Sequence, residues 1–252
     1  MSRLFRFAAR YFTALVSSWY LFSFGWLKAT NRALIQTINV HFGFGPRKPP
    51  ESLPVIRPAD LLPLDGPLEL IEPVAADGNV SLLELVILAR SVVLAQPACL
   101  LEIGTFDGRT TLNIAANAPE GARVLTLDLP AESPTDLDIA EGDRRYIDKP
   151  APGARFKGSP HAGKIEQLLG DSAGYDFSAL VGKVNWMFID GAHSAEYVRN
   201  DSELARKLMA PGGWVFWHDY GVWDGVTLAL NELDWGSGLV HVEGTSLAVL
   251  KT

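Results

Sequence analysis

From residue 99 onward the chain alternates short apolar runs with longer segments whose apolar positions recur at helical spacing. The runs at 99–103, 123–128, 164–169, 184–189 and 214–217 are too brief for helices, so each reads as a strand of a parallel sheet buried on both faces. Helical patterns separate them. Residues 81–96 place Leu82, Leu83, Leu85, Val86, Leu88, Ala89, Val92 and Val93 on a broad apolar face, and a helix over 111–118 is stopped by Pro119 and Gly121. Ser194 reads as the N-cap of a further helix, with Glu196 in its first turn and Pro211-Gly212-Gly213 at its end. After a short helix over 224–233, apolar runs at 239–242 and 247–250 are divided by Glu243-Gly244-Thr245-Ser246, which predicts an antiparallel hairpin. The order predicts an α/β domain of three layers with about seven strands, mostly parallel.

The first quarter of the chain breaks this rhythm. Arg3, Arg6 and Arg10 precede an apolar, aromatic run over 12–27, interrupted by Thr13, Ser17, Ser18, Ser23 and Gly25 and followed by Lys28 and Arg32. Sixteen residues fall short of the roughly 20 that span a bilayer, and no small-residue cleavage site marks a secretory signal. Residues 1–43 therefore read either as a basic, aromatic helix lying in a membrane interface or as a helix packed on the main domain or on a second subunit. Seven of the sixteen prolines lie between Pro46 and Pro67, which predicts an extended connector over 44–73 and a main domain over 74–252. Residues 130–163 have no sustained period, as expected of a functional lid or a mobile connection. A short helix over 138–147 is expected there, with Arg144, Arg145 and Tyr146 read as a solvated face in preference to acceptor contacts.

Composition narrows the functional classes. With 252 residues, 48% hydrophobic and 20% charged, the chain is an ordinary globular one without internal repeats. A net charge of -7 and the lack of a basic stripe argue against nucleic acid. The single cysteine, Cys99, excludes an intrachain disulfide and reads as a packing residue in a cytoplasmic, reducing setting.

Candidate chemistry gathers at the ends of the strands. Glu102-Ile103-Gly104-Thr105-Phe106-Asp107-Gly108-Arg109-Thr110-Thr111 joins a strand to a helix through a turn with two glycines, and Glu102 is a carboxylate on an otherwise apolar strand. Glu-x-Gly-x-x-x-Gly departs from the Gly-x-Gly-x-x-Gly of dinucleotide sites and suits a cationic ligand without phosphates. Taken alone, it is also what an ordinary strand-to-helix turn shows. Residues 101–111 resemble motif I of the class I methyltransferases that use S-adenosylmethionine, in a variant with Thr-Phe-Asp in place of a third glycine. The resemblance implies a Rossmann-like fold and cofactor contacts from Glu102, Gly104, Thr105, Asp107, Gly108 and Thr110. Asp128 ends the next strand about 20 residues on, where an acid hydrogen-bonds ribose hydroxyls in nucleotide-binding α/β folds; capping a local turn is its other reading. By the same resemblance Asp171 and Ser172 lie near the adenine, although both also fit a turn that satisfies its own backbone.

Two later strands deliver Asp190 and Asp219 to the same edge. Converging carboxylates repel unless a cation sits between them or one is protonated, and Mg2+ meets that need with few protein oxygens. His193 follows as the chain turns into a helix, where the helix N-terminus and a metal both favour neutral imidazole, a base beside a metal. The segments 188–194, 211–213 and 218–220, with Asp201, resemble the methyltransferase group that contains metal-dependent macrolide-sugar O-methyltransferases and relatives of cephalosporin hydroxylase. That resemblance implies metal binding by Asp190 and Asp219 and a base role for His193; it also extends the cofactor set to Asp190. His218 stands where those enzymes carry a second carboxylate, and is kept as a third metal ligand. Asp201 is also read as a residue of a solvated helix face, and Trp217, Trp223 and Trp235 as lining an acceptor pocket or packing the sheet. The expected activity is methyl transfer from S-adenosylmethionine to a hydroxyl of a small-molecule acceptor, sugar or polyketide-like, by a chain that also fits a homo-oligomer. A hydroxylase-like chemistry and a non-catalytic cofactor-binding protein tethered through its N-terminus are the alternatives.

Overall fold

Leu100 and Leu101 face opposite sides of one strand, and the same alternation on its neighbours builds two separate cores. Leu100, Val124, Trp186, Phe188 and Phe216 enter one, and Leu101, Leu125, Met187, Val215 and Trp217 the other. A computed structural model describes residues 3–42, 48–140, 142–148 and 151–252. It divides into two compact units, Met1–Lys48 and Pro49–Thr252. The first contains α1 (Arg3–Ser23), a 3-10 turn at Gly25–Leu27, and α2 (Ala29–His41). The second begins with β1 (Val55–Ile56), α3 (Pro58–Leu61), α4 (Leu82–Ala95), β2 (Cys99–Ile103), α5 (Arg109–Asn117) and β3 (Arg123–Asp128). It continues with α6 (Arg144–Ile147), β4 (Ile165–Leu169), β5 (Val184–Ile189), α7 (Ala195–Leu208), β6 (Met209–Trp217), α8 (Asp224–Glu232), β7 (Val240–Val242) and β8 (Ala248–Lys251).

The sheet has eight strands in the order β1-β7-β8-β6-β5-β2-β3-β4. β8 runs antiparallel to both of its neighbours, and every other pairing is parallel. Helices α4 and α5 cover the face of Leu100, while α7 and α8 cover that of Leu101, giving the expected three layers. Each fully buried Leu or Phe on these faces contributes about 1.5–3 kcal/mol. The caps follow the sequence. Ser81 accepts from Glu84 N while Glu84 accepts from Ser81 N, a capping box that starts α4. Ser194 likewise accepts from Tyr197 N at the start of α7.

Two expectations are corrected. The proline-rich segment is part of the folded domain: β1 pairs with β7, through His241 N to Pro54 O at 2.8 Å and Glu243 N to Ile56 O at 2.9 Å, and Leu62 is buried. Proline removes N–H donors but leaves carbonyls, so an edge strand that mainly accepts hydrogen bonds tolerates it. Residues 44–47 lie outside the described part. The second correction concerns the helix end: α7 stops at Leu208, and Met209 already pairs with Val184 before the register slips and resumes at Trp214 opposite Trp186. Pro211-Gly212-Gly213 occupies this irregular stretch of β6.

Candidate active site

The carboxyl ends of the parallel strands are tied to one another by backbone hydrogen bonds. Gly104 N donates to Leu127 O (2.8 Å), Gly170 N to Asp128 O (3.0 Å), Asp190 N to Ile103 O (2.8 Å) and His218 N to Ile189 O (3.0 Å). Gly104 adopts φ +98°, and a Cβ there would lie 1.9 Å from the Asp190 carbonyl oxygen, so the turns after β2 and β5 meet only because this residue is glycine. Asp219, at φ +66°, is held in the left-handed region that non-glycine residues rarely adopt.

A cavity of about 450 Å³ opens over these ends, within the range of small-molecule sites. It is lined by Ile103, Gly104, Leu127, Asp128, Gly170, Asp171 and Ser172 and by Asp190, His193, Asp219 and Trp223. Residues 143 and 145–147 also line it. Six aspartates and a single arginine, Arg145, stand among the described lining residues. This wall suits a cationic ligand with ribose hydroxyls better than a phosphate-rich one, and S-adenosylmethionine fits that description.

The acidic end is a cluster of carboxylates interleaved with imidazoles. Asp143 Oδ2 accepts from His193 N (2.9 Å), and Asp143 Oδ1 lies 2.5 Å from His193 Nδ1. Asp219 Oδ2 sits 2.9 Å from His193 Nε2, an ion-pair contact without the alignment of a good hydrogen bond. The imidazole stacks on Trp223, with centroids 4.6 Å apart. His218 Nδ1 faces Asp190 (3.1 Å) and Asp219 (3.4 Å), and its Nε2 faces Glu84 (3.4 Å). Burial disfavours the charged form of both histidines, but the surrounding carboxylates outweigh it: His193 is raised to about 9 and His218 well above its usual value. Burial also opposes ionisation of Asp219 and Glu84, yet their histidine partners hold both well below the usual carboxylate range. With carboxylates alone around it, the helix N-terminus is outweighed; the neutral His193 expected from the sequence rests on a metal beside it as well as on that helix end.

Asp190, His193 and Asp219 each offer an atom within 4.8 Å of the others', a spacing that fits one divalent cation. His218 lies beside this group with both ring nitrogens turned to carboxylates.

Of the residues marked in the sequence, Gly104, Asp128, Asp171, Ser172, Asp190, His193, His218 and Asp219 line the cavity. Glu102 lies behind the wall, accepting from Thr111 and from Thr126 Oγ1 (2.5 Å), with Oε1 buried and unpartnered. Burial raises it to about 8 despite those bonds. Thr105, Asp107, Gly108 and Thr110 do not line the cavity. Thr105 bonds Thr126 (2.7 Å), Asp107 accepts from Arg109 N and Arg155, and Gly108 packs against Phe156 and Gly153. Asp201 is fully buried rather than solvated, and burial raises it to about 6 against the opposing effect of Ser172 and Asn200. Arg145 and Tyr146 face the cavity, not only solvent. Two members were not marked at all as site residues. Asp143 sits in an aperiodic stretch without local signature, and Glu84 lies in the helix over 81–96, where only the apolar face was marked.

Comparison with known proteins agrees with this fold. Residues 101–220 match the family described as a methyltransferase domain. No curated protein matches the sequence. Among solved structures, the chain is similar to the O-methyltransferase TomG of Streptomyces achromogenes, involved in tomaymycin synthesis and in complex with S-adenosylmethionine. The TM-score is 0.53 at 19% identity, over 73% of this chain and 92% of that one. A Podospora anserina methyltransferase bound to S-adenosylhomocysteine gives a TM-score of 0.51 at 16% identity, over 69% of this chain and 80% of that one.

Proposed function

We propose that this chain is a class I S-adenosylmethionine-dependent methyltransferase, a reading supported by the methyltransferase-domain match and the similar folds, and that it methylates a hydroxyl oxygen of a small molecule with help from a divalent cation. One observation carries the reading: a single cavity is lined both by Gly104, Asp128, Asp171 and Ser172 and by the acid–histidine cluster of Asp190, His193 and Asp219. The similar structure from Streptomyces achromogenes is described as an O-methyltransferase, which agrees with that choice of acceptor atom.

Asp128, which lines the cavity with Leu127, Leu129, Asp171 and Ser172, is the residue to accept hydrogen bonds from a ribose. When bound, S-adenosylmethionine supplies an electrophilic methyl group on a positively charged sulfur. The protein's main task is then to align donor and acceptor. Asp190 and Asp219 would hold a divalent cation such as Mg2+, whose positive charge would lower the pKa of an acceptor hydroxyl. In its neutral form, which a cation beside it would favour, His193 takes the hydroxyl proton at Nε2, while Asp143 at Nδ1 fixes the ring's orientation. Trp223 stacks on the ring's face and restrains it further. The Asp190 and Asp219 assignment departs from a ligand set that includes His218, which serves instead to hold Asp190 and Glu84 in place.

Calorimetric titration with S-adenosylmethionine, with and without Mg2+ and with NAD as control, tests the reading. Saturable binding of S-adenosylmethionine alone supports it, and absence of binding in both conditions removes it. A His193→Ala variant that still binds the cofactor should lose turnover on any hydroxyl acceptor found. Mg2+ binding lost in the same variant would make His193 a ligand rather than the base.

A further inference from the structure

The aromatic residues are distributed very unevenly. Eleven of the 25 Phe, Trp and Tyr fall within residues 1–48, as do seven of the 22 Lys and Arg and none of the 29 Asp and Glu. That unit therefore carries +7, while residues 49–252 carry -14.

Helix α1 sorts its residues by face. Phe12, Leu15, Trp19 and Phe22 recur at spacings of three and four and share one side, whereas Arg10, Thr13 and Ser17 share the opposite side. The apolar side is bare: Phe12 is 69% exposed and Trp19 66%, and no described residue of this unit enters either core cluster. Twenty-one residues make a helix of about 31 Å, long enough in length alone to cross a bilayer. However, no described helix is apolar enough to do so, because the polar stripe runs along it. A helix with one aromatic face and one basic face lies in the plane of a membrane interface, its rings at the headgroup boundary and its cations toward anionic lipid.

We propose that residues 3–42 dock the protein on an anionic lipid surface, the aromatic face of α1 entering the interface and the surrounding Lys and Arg meeting acidic headgroups. Charge complementarity selects this occupant. An acidic protein partner would satisfy the cations but not a helix-long aromatic face, and a second copy would bring +7 against +7. The -14 unit is repelled from the same surface, so contact is confined to the N-terminal unit.

Flotation of the full-length protein with vesicles tests the proposal. Vesicles of phosphatidylcholine mixed with phosphatidylglycerol should carry the protein up at low salt, with tryptophan emission shifted to shorter wavelength. Pure phosphatidylcholine should bind at least tenfold less, and high salt should release most of the bound protein. Phe12→Glu with Trp19→Glu should abolish binding while the cooperative thermal transition is kept, and Arg10→Gln should weaken it roughly fivefold. Should the double variant fail to fold, the salt and lipid dependence of the unmodified chain still decides. No binding to anionic vesicles, or equal binding to both lipids, overturns the proposal. A stable oligomer in sedimentation equilibrium that ignores vesicles and is split by the double substitution assigns the face to a second copy and also overturns it.

Discussion

Glu102 shows how a single buried carboxylate sets a pH dependence. It is 1% exposed and raised to about 8 against a usual 4.5, so the folded state holds its proton more tightly than the unfolded chain. Its contribution to stability is complete below about pH 4.5 and is lost as pH rises through 8, a change of a few kcal/mol. Glu102→Gln keeps the shape and removes the titration. Melting curves of the two proteins should nearly coincide at pH 4.5 and differ by roughly 5–10 °C in favour of the variant at pH 9; a constant difference would mean that Glu102 does not titrate in this range. A loss of cofactor affinity beyond tenfold in the same variant would place Glu102 in direct service of the donor. Asp143 acts on the chemistry from one residue away. Asp143→Asn keeps the size but loses the charge that orients His193, and should lower kcat about 10–100-fold with KM for S-adenosylmethionine unchanged. An equal loss in both constants would assign it to cavity shape. Glu102, Asp128, Asp190 and Asp219 were legible in the sequence because a carboxylate ending an apolar strand is costly unless it has a use. Asp143 and Glu84 were not, since their roles arise from contacts 50 and 134 residues away, to His193 and His218.

Elements were legible wherever burial imposes a period. β2, β3 and β5 fall where apolar runs predict them, and α4 and α7 begin at their Ser caps. β1 was missed because two residues among prolines carry no period, and only pairing with β7 makes them a strand. The stretch over 130–163 was expected to be a lid or mobile. Its described residues line the cavity through Asp143, Arg145, Tyr146 and Ile147, a placement set by tertiary contact that no local pattern encodes. One of those contacts is tight: a Cβ on Gly142 would stand 2.2 Å from Trp223 Cη2, and Trp223 itself stacks on His193. Gly142→Ala should therefore displace the indole or lift the segment. Turnover should fall at least tenfold while the melting temperature moves by no more than about 2 °C, because Gly142 lies outside both cores. Near-normal turnover would show that the segment adjusts without moving His193.

At the scale of the whole molecule the question is where the catalytic domain begins. Composition places its start at residue 74, after the prolines, whereas the contacts place it at Pro49. The difference is large in energy. Residues 49–73 supply buried Leu62 and half-buried Ile56, Leu61, Leu64 and Leu70 to the core beneath α4. They also satisfy a buried cation: Arg109 is fully buried, and its guanidinium donates to Glu72 O (2.8 Å), Pro73 O (2.8 Å) and Val80 O (2.9 Å). A chain starting at 74 keeps only the last of these acceptors. Stranding a buried cation costs about 3–5 kcal/mol, and losing Leu62 adds about 2–3 kcal/mol, together comparable with the entire stability of an ordinary domain. A chain starting at Pro49 loses none of these groups, and no described residue of 1–48 belongs to either core cluster. The protein shortened to 49–252 should then unfold in one cooperative transition and bind S-adenosylmethionine within about twofold of the full chain, while that shortened to 74–252 should be recovered unfolded or aggregated. Cooperative melting of the shorter chain would return 49–73 to the status of a connector, and failure of the longer one would show that the N-terminal unit helps to hold the domain together.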